Sequence, residues 1–175
     1  MGTLSIFQAT ESKRAQGTFY PTPESVADKL LSGIDWYVVH SVLEPSAGKG
    51  DLALAVAKKN TVKRHSYYHT DKEMIAACDL DCIEIDPVLR DTLEGKGFRV
   101  VHDNFLTFET QKRYDLIVMN PPFDQGAEHL LKALDLVSRG GSVACILNAE
   151  TLRNPFSEKR RQLVRMLDEY RADIQ

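Results

Sequence analysis

The sequence predicts an α/β fold, an open and mostly parallel sheet with helices packed on its faces. Two observations predict it. Short apolar runs of strand length alternate with amphipathic stretches of helix length along most of the 175 residues, the pattern of repeated βαβ units. The run Leu116-Ile117-Val118-Met119 is also unbroken and rich in branched side chains, as in a strand buried on both faces by covering helices.

Taken in order, residues 1–18 are polar with little periodicity and read as an N-terminal arm, leaving 19–175 as the folded domain. Thr22 reads as an N-cap with Pro23 at the first helical position and Glu24 favouring the positive helix end; Val26, Leu30 and Ile34 mark the buried face. Val42-Leu43-Glu44 is a short strand that runs into the small-residue turn Pro45–Asp51, and a helix follows over 52–59. Strand, glycine turn and helix form a cradle in which a ligand can approach backbone at a helix start. The turn is neither a Walker loop nor Gly-x-Gly-x-x-Gly. Glu44 at the strand end disfavours a pyrophosphate and suits a cation.

Residues 60–80 are a long polar and aromatic connection. Its His65-x3-His69 and Cys78-x3-Cys82 spacings lack a tight knuckle, so no metal site is assigned. Residues 82–86 read as the second strand, and Pro87 opens a helix that stops at Gly95/Gly97. An acidic side chain at that strand end is placed to hold a ribose diol. Asp86 reads as the N-cap of the following helix, which makes Glu84 the ribose candidate. Residues 98–101 form a third strand, residues 114–119 a fourth and residues 142–147 a fifth. An amphipathic helix spans 127–139 with Gly140-Gly141 as its stop, and Ser157 caps a last helix whose Leu163, Val164, Leu167 and Tyr170 face inward.

After the fourth strand, Asn120-Pro121-Pro122-Phe123 makes a rigid loop, because proline gives no N–H to a ladder and restricts the residue before it. The Asn120 side chain and the Pro121 carbonyl are two fixed acceptors, and Phe123 is a flat apolar face. Together they suit a planar ring with an exocyclic amino group. The same residues read equally well as a plain strand terminator with Phe123 as core filler.

Composition sets bounds. A hydrophobic fraction of 43% and a charged fraction of 27% are ordinary for a globular domain, with no membrane-length apolar run and no signal-peptide pattern, so the expected location is cytoplasmic. Three cysteines in that setting read as reduced thiols. A net charge of −3 argues against indiscriminate coating of nucleic acid. Local basic clusters remain: Lys58, Lys59, Lys63, Arg64 and His65 before Tyr67-Tyr68, and Lys159, Arg160, Arg161 and Arg165. Each reads as a solvated face or as a phosphate contact.

The ordered set Phe19-Tyr-Pro-Thr-Pro23, Leu43-Glu-Pro-Ser-Ala-Gly-Lys-Gly50, Cys82-Ile-Glu-Ile-Asp-Pro87, Asp103-Asn-Phe105 and Asn120-Pro-Pro-Phe123 resembles the class I S-adenosylmethionine-dependent methyltransferases, specifically those acting on adenine N6. The resemblance implies a Rossmann-like doubly wound sheet of strand order 3-2-1-4-5, with the usual sixth and seventh strands missing at the C-terminal end. S-adenosyl-L-methionine is the implied cofactor. Tyr20, Thr22, Glu44, Ser46, Ala47, Gly48, Glu84, Ile85, Asp103, Asn104, Phe105 and Asn120 are the implied cofactor-binding residues. Thr22 would meet the methionine carboxylate, Glu44 and Gly48 the methionine and sulfonium region, Glu84 the ribose and Phe105 the adenine. Where the family has an Asp that accepts from the cofactor's adenine amino group, this chain has Asn104, with Asp103 beside it. Asn120, Pro121 and Phe123 are the implied catalytic set, positioning a base amino group. The implied partner is nucleic acid, DNA ahead of RNA. The rival readings are an RNA-adenine or protein-glutamine methyltransferase, and a silent cofactor-binding subunit.

Overall fold

A computed structural model describes residues 4–9, 21–59 and 78–175. In chain order the elements are β1 (Leu4–Ala9), α1 (Glu24–Leu31), β2 (Ser41–Glu44), α2 (Asp51–Lys59), β3 (Asp79–Ile83), α3 (Pro87–Gly95), β4 (Arg99–His102), β5 (Tyr114–Met119), α4 (Gly126–Leu136), β6 (Val137–Asn148), α5 (Ala149–Arg153), α6 (Glu158–Glu169) and β7 (Asp173–Ile174). The described strands form a seven-stranded sheet of order β4-β3-β2-β5-β6-β1-β7, and the paired strands run parallel. Its first five members reproduce the expected 3-2-1-4-5 order, and the fold is Rossmann-like.

The two-faced burial of β5 is visible residue by residue. Leu116 and Val118 pack with Leu30, Leu31, Leu52 and Val56 of α1 and α2 on one face. Ile117 and Met119 pack with Leu130 and Ala133 of α4 and with Leu163 and Leu167 of α6 on the other. β6 divides in the same way, Ala144 and Ile146 to the first face, Val143, Cys145 and Leu147 to the second. Side chains alternate across a strand, so a continuous apolar run is what a sheet covered on both sides requires.

The sheet corrects the sequence reading in four places. Part of the expected arm is strand: β1 pairs with β6 from Leu4↔Val143 to Ala9↔Asn148, and β7 pairs with β1. The sheet is therefore wider than five strands. The helix expected to run to Arg139 ends at Leu136, and β6 begins at Val137 with an irregular register against β5. Gly140 takes φ +89°, and a side chain on Gly141 would meet the Asp115 carbonyl at 2.8 Å. The second strand begins at Asp79, before Cys82. Thr22 is not the cap of α1; Pro23 is, with no side-chain bond. The other caps stand as read, Asp86 accepting from the N–H groups of Val88 and Leu89 and Ser157 from that of Arg160.

The amino end of the sheet is held by paired charge. Asp81, almost fully buried, accepts from the Tyr114 hydroxyl at 2.9 Å, Lys112 Nζ at 2.7 Å and Arg99 Nε at 2.6 Å. Asp115 accepts from the N–H groups of His40 and Ser41 and from the hydroxyls of Ser41 and Ser138. Burial acts to raise the Asp115 carboxyl, but these donors outweigh it and hold it below the ordinary carboxylate range. A carboxyl so depressed contributes stability that is complete above the unfolded-state value of 3.8 and is lost as pH falls through the native value. Asp115→Asn is expected to lower stability in urea by about 1–2 kcal/mol at neutral pH. The gap to the wild type should close as the pH is taken below 3.8; a gap of constant size would refute the assignment.

Candidate functional site

Because the strands are parallel, their carboxyl ends lie along one edge, and the loops that leave them build a cleft of about 340 Å³. The loop after β2 supplies Glu44, Ser46, Ala47 and Gly48, that after β3 Glu84, Ile85 and Asp86, that after β4 Asp103, Asn104 and Phe105, and that after β5 Asn120, Pro121 and Pro122. Thr22 enters from the segment before α1, and Gln125 and His129 close the far wall.

Glu84 fixes the geometry at the centre. One of its oxygens accepts from the Gly48 N–H at 2.6 Å and the other from the Asp86 N–H at 2.9 Å. The carboxylate thus ties the loop after β2 to the loop after β3, and each oxygen keeps a second lone pair for a ligand hydroxyl. Gly48 reaches this contact at φ +56° and Gly50 follows at +85°, left-handed conformations that favour glycine. A side chain on Gly50 would also meet Leu93 at 2.9 Å.

Glu44 is the electrostatic anomaly. It is 1% exposed, and among the described residues its Oε2 has no hydrogen-bond partner. Burial pushes the carboxyl well above the usual range, against the pull of the Ala53 N–H, and Asp51 and Glu84 add repulsion. Glu44, Asp51, Glu84, Asp86 and Asp103 all line the cleft, and among the described residues no Lys or Arg does. A ligand that brings positive charge into this cleft relieves both the burial and the repulsion. Glu84 with two occupied but unsaturated oxygens suits a vicinal diol, so the residues present fit a cationic nucleoside.

On the other wall, Asn120 Nδ2 donates to Thr22 Oγ1 at 3.2 Å, and the Thr22 N–H donates to Asp51 Oδ2 at 3.2 Å. The first bond orients the Asn120 amide, turning its nitrogen to Thr22. Asn104 Oδ1 accepts from the Leu106 N–H at 2.9 Å and so caps the short 3-10 turn Phe105–Thr107. Asp103 is exposed, with its carboxylate 2.8 Å from His102 Nδ1. Phe105 is buried, its ring 5.5 Å from that of His129.

Of the residues singled out from the sequence, the cleft gathers Thr22, Glu44, Ser46, Ala47, Gly48, Glu84, Ile85, Asp103, Asn104, Phe105, Asn120 and Pro121. Phe123 is half-buried and does not line it. Tyr20 lies outside the described residues, as do His65, His69 and the basic run from Lys63. Cys78 and Cys82 are buried, and among the described residues no group of three or more His, Cys, Asp or Glu could hold a metal. Sequence reasoning missed Asp51, Gln125 and His129. The His129 Nδ1 lies 3.0 Å from the Gln125 carbonyl, and burial lowers its basicity, keeping the ring neutral. The tautomer satisfying that carbonyl leaves Nε2 as an acceptor.

Glu44→Gln tests the anomaly. A carboxyl raised by burial loses native stability as pH climbs from the unfolded value of 4.5 towards the native one. The variant is expected to melt higher at neutral pH, by roughly 2–4 °C per kcal/mol recovered, with no such decline, while binding a cationic nucleoside more weakly. Equal melting curves from acid to neutral pH would refute it.

The family described as Methyltransferase small domain matches residues 25–152. Ribosomal RNA small subunit methyltransferase C of Cronobacter sakazakii is 29% identical over 133 residues, 70% of this chain and 35% of that protein. The tRNA1(Val) (adenine(37)-N6)-methyltransferase of a Flavobacteriaceae bacterium is 31% identical over 86 residues, 47% and 33% of the two chains. Type II methyltransferase M.CvrRI of Paramecium bursaria Chlorella virus XZ-6E is 26% identical over 118 residues, 65% and 26%. The match thus spans about a third or less of the length of these relatives.

Proposed function

The chain belongs to the methyltransferase small domain family of class I S-adenosylmethionine-dependent proteins, and on that premise we propose that it transfers a methyl group to the exocyclic amino group of adenine in nucleic acid. The observation that carries this reading is the meeting, in one cleft, of the buried Glu44 carboxyl, whose Oε2 has no partner among the described residues, and the acceptor pair at Asn120 and Pro121. When bound, S-adenosylmethionine supplies a methyl group already activated by a sulfonium charge. Glu44 and Gly48 hold its charged end, Glu84 its ribose and Phe105 its adenine. Asn104 Oδ1 already accepts from Leu106, so Asp103 is the better-placed acceptor for the cofactor's amino group.

The protein's task is then to position the acceptor nitrogen. An adenine N6 lone pair is delocalised into the ring. The Asn120 oxygen and the Pro121 carbonyl accept its two hydrogens and localise density on nitrogen as the new bond forms, a charge stabilisation made in the transition state. Phe123, just outside the cleft lining, stacks on the base at the cleft's edge, and the base leaves any duplex to reach the loop. The amino proton passes to solvent after transfer, and no side chain with a lowered pKa is required.

Other nucleobases also carry delocalised amino groups that this loop would suit. Adenine is chosen because one relative is named an adenine-N6 enzyme, and RNA moves ahead of DNA because the relatives at 29% and 31% identity carry RNA names.

Radiolabelled S-adenosylmethionine offered with adenine-containing RNA and DNA, followed by nucleoside analysis, is expected to yield N6-methyladenosine. Asn120→Ala should reduce transfer by roughly 10²–10³-fold while calorimetry shows cofactor affinity little changed. Label on a different base would overturn the adenine assignment, and undiminished transfer by the variant would overturn the role of Asn120.

A further inference from the structure

The charge of this chain is unevenly placed. Residues 149–165 hold five Lys or Arg against two Glu in a chain of net charge −3, so a cationic patch stands beside an acidic cleft. Helix α6 turns Leu163 and Leu167 into the core, which leaves Arg161 and Arg165 on its outer side. At the tip between α5 and α6, Phe156 is 69% exposed. Its ring is held in place: the Arg160 guanidinium lies 4.5 Å from the ring centroid, Arg161 donates to the Phe156 carbonyl at 2.8 Å, and Ser157 caps the helix just after it. An exposed phenyl ring backed by one arginine, on a backbone held by another, is arranged to be covered.

The tip also follows the carboxyl end of β6, on the same edge of the sheet as the cleft. Asn148 ends β6 beside the end of β5, and α5 leads directly from it. Lys159 pairs with Glu128 at 3.3 Å, joining the start of α6 to the first turn of α4, where the neighbouring His129 lines the cleft. Inside, the carboxylates repel phosphate. A polyanion whose base enters by the Asn120 loop must therefore be held from outside, on the β6 side.

We propose that Phe156, with Arg153, Arg160 and Arg161, is the docking surface for an unpaired stretch of RNA flanking the methylated residue. The ring, already backed by a guanidinium, stacks a neighbouring base, and the arginines take the adjoining phosphates. A loop-borne stacking platform needs an unstacked base, which a single-stranded RNA loop offers and an intact DNA duplex does not. The proposal rests on the nucleic-acid reading above.

Fluorescence anisotropy with a short adenine-containing single-stranded RNA, and with duplex DNA of the same sequence, tests it. Phe156→Ala should weaken RNA binding about tenfold, and Phe156→Trp should restore it. Arg153→Ala, outside the stacked pair, should lower the slope of affinity against salt by about 0.7. Melting temperature and S-adenosylmethionine binding should stay unchanged in all three. RNA affinity indifferent to both alanine variants, duplex DNA bound as tightly as RNA, or no RNA binding by the wild type would each overturn the proposal. If RNA binding responds as stated and the wild type methylates no adenine, the function proposed above fails and the docking surface stands. If adenine is methylated and the Phe156 variants bind RNA as the wild type does, the surface alone fails.

Discussion

Parallel pairing is the constraint on which everything else in this molecule rests. A parallel neighbour can be reached only by a crossover, and the crossovers through α2, α3 and α4 lay helices on the sheet faces. One consequence is thermodynamic: β5 and β6 are apolar on both sides because both sides are covered. The other is geometric: the carboxyl ends of β2, β3, β4 and β5 fall in one line, and residues far apart in sequence arrive at one cleft. Glu84 converts that alignment into a fixed site, since its two oxygens bind the loops after β2 and β3 at 2.6 Å and 2.9 Å.

The two ends of the sheet treat charge in opposite ways. At the amino end, Asp79 and Asp81 are matched by Arg99 and Lys112, and Asp115 is surrounded by donors. Those carboxylates are satisfied inside the protein and are structural. At the carboxyl end, five acidic side chains line the cleft with no Lys or Arg beside them among the described residues. Burying a carboxyl that is only partly hydrogen-bonded opposes folding, and Glu44 is where that opposition is concentrated. Stability at one edge offsets incompleteness at the other.

Much of this was legible in the sequence, for reasons that differ by residue. The strand at 114–119 announced itself because a central parallel strand has no polar face. Asp86 and Ser157 were legible as caps because capping is a local bond. Thr22 carried the same local signal and was misread: its side chain is engaged by Asn120, 98 positions away, and no local rule registers that partner. Residues 4–9 passed for an arm because nothing before them in the chain brackets a strand, and their ladder lies on β6. The helix-to-strand boundary at 136–137 slipped because the glycines that looked like a helix stop serve a register irregularity under Asp115. His129 was hidden on an amphipathic helix, where it looked like one more position on the stripe, and its place in the cleft comes from tertiary packing.

The buried Glu44 also bears on how long the molecule survives. A ligand that binds only the folded state stabilises it in proportion to the logarithm of its concentration over its dissociation constant. Here the ligand-free protein additionally carries a buried carboxyl that a bound cation would relieve. Occupied and empty molecules therefore differ in their resistance to unfolding by more than the contact area implies, and proteases that sample the unfolded chain remove the empty ones first. Under the function proposed above, a single acidic residue at the end of β2 would make the pool of surviving protein self-selecting for copies loaded with their methyl donor.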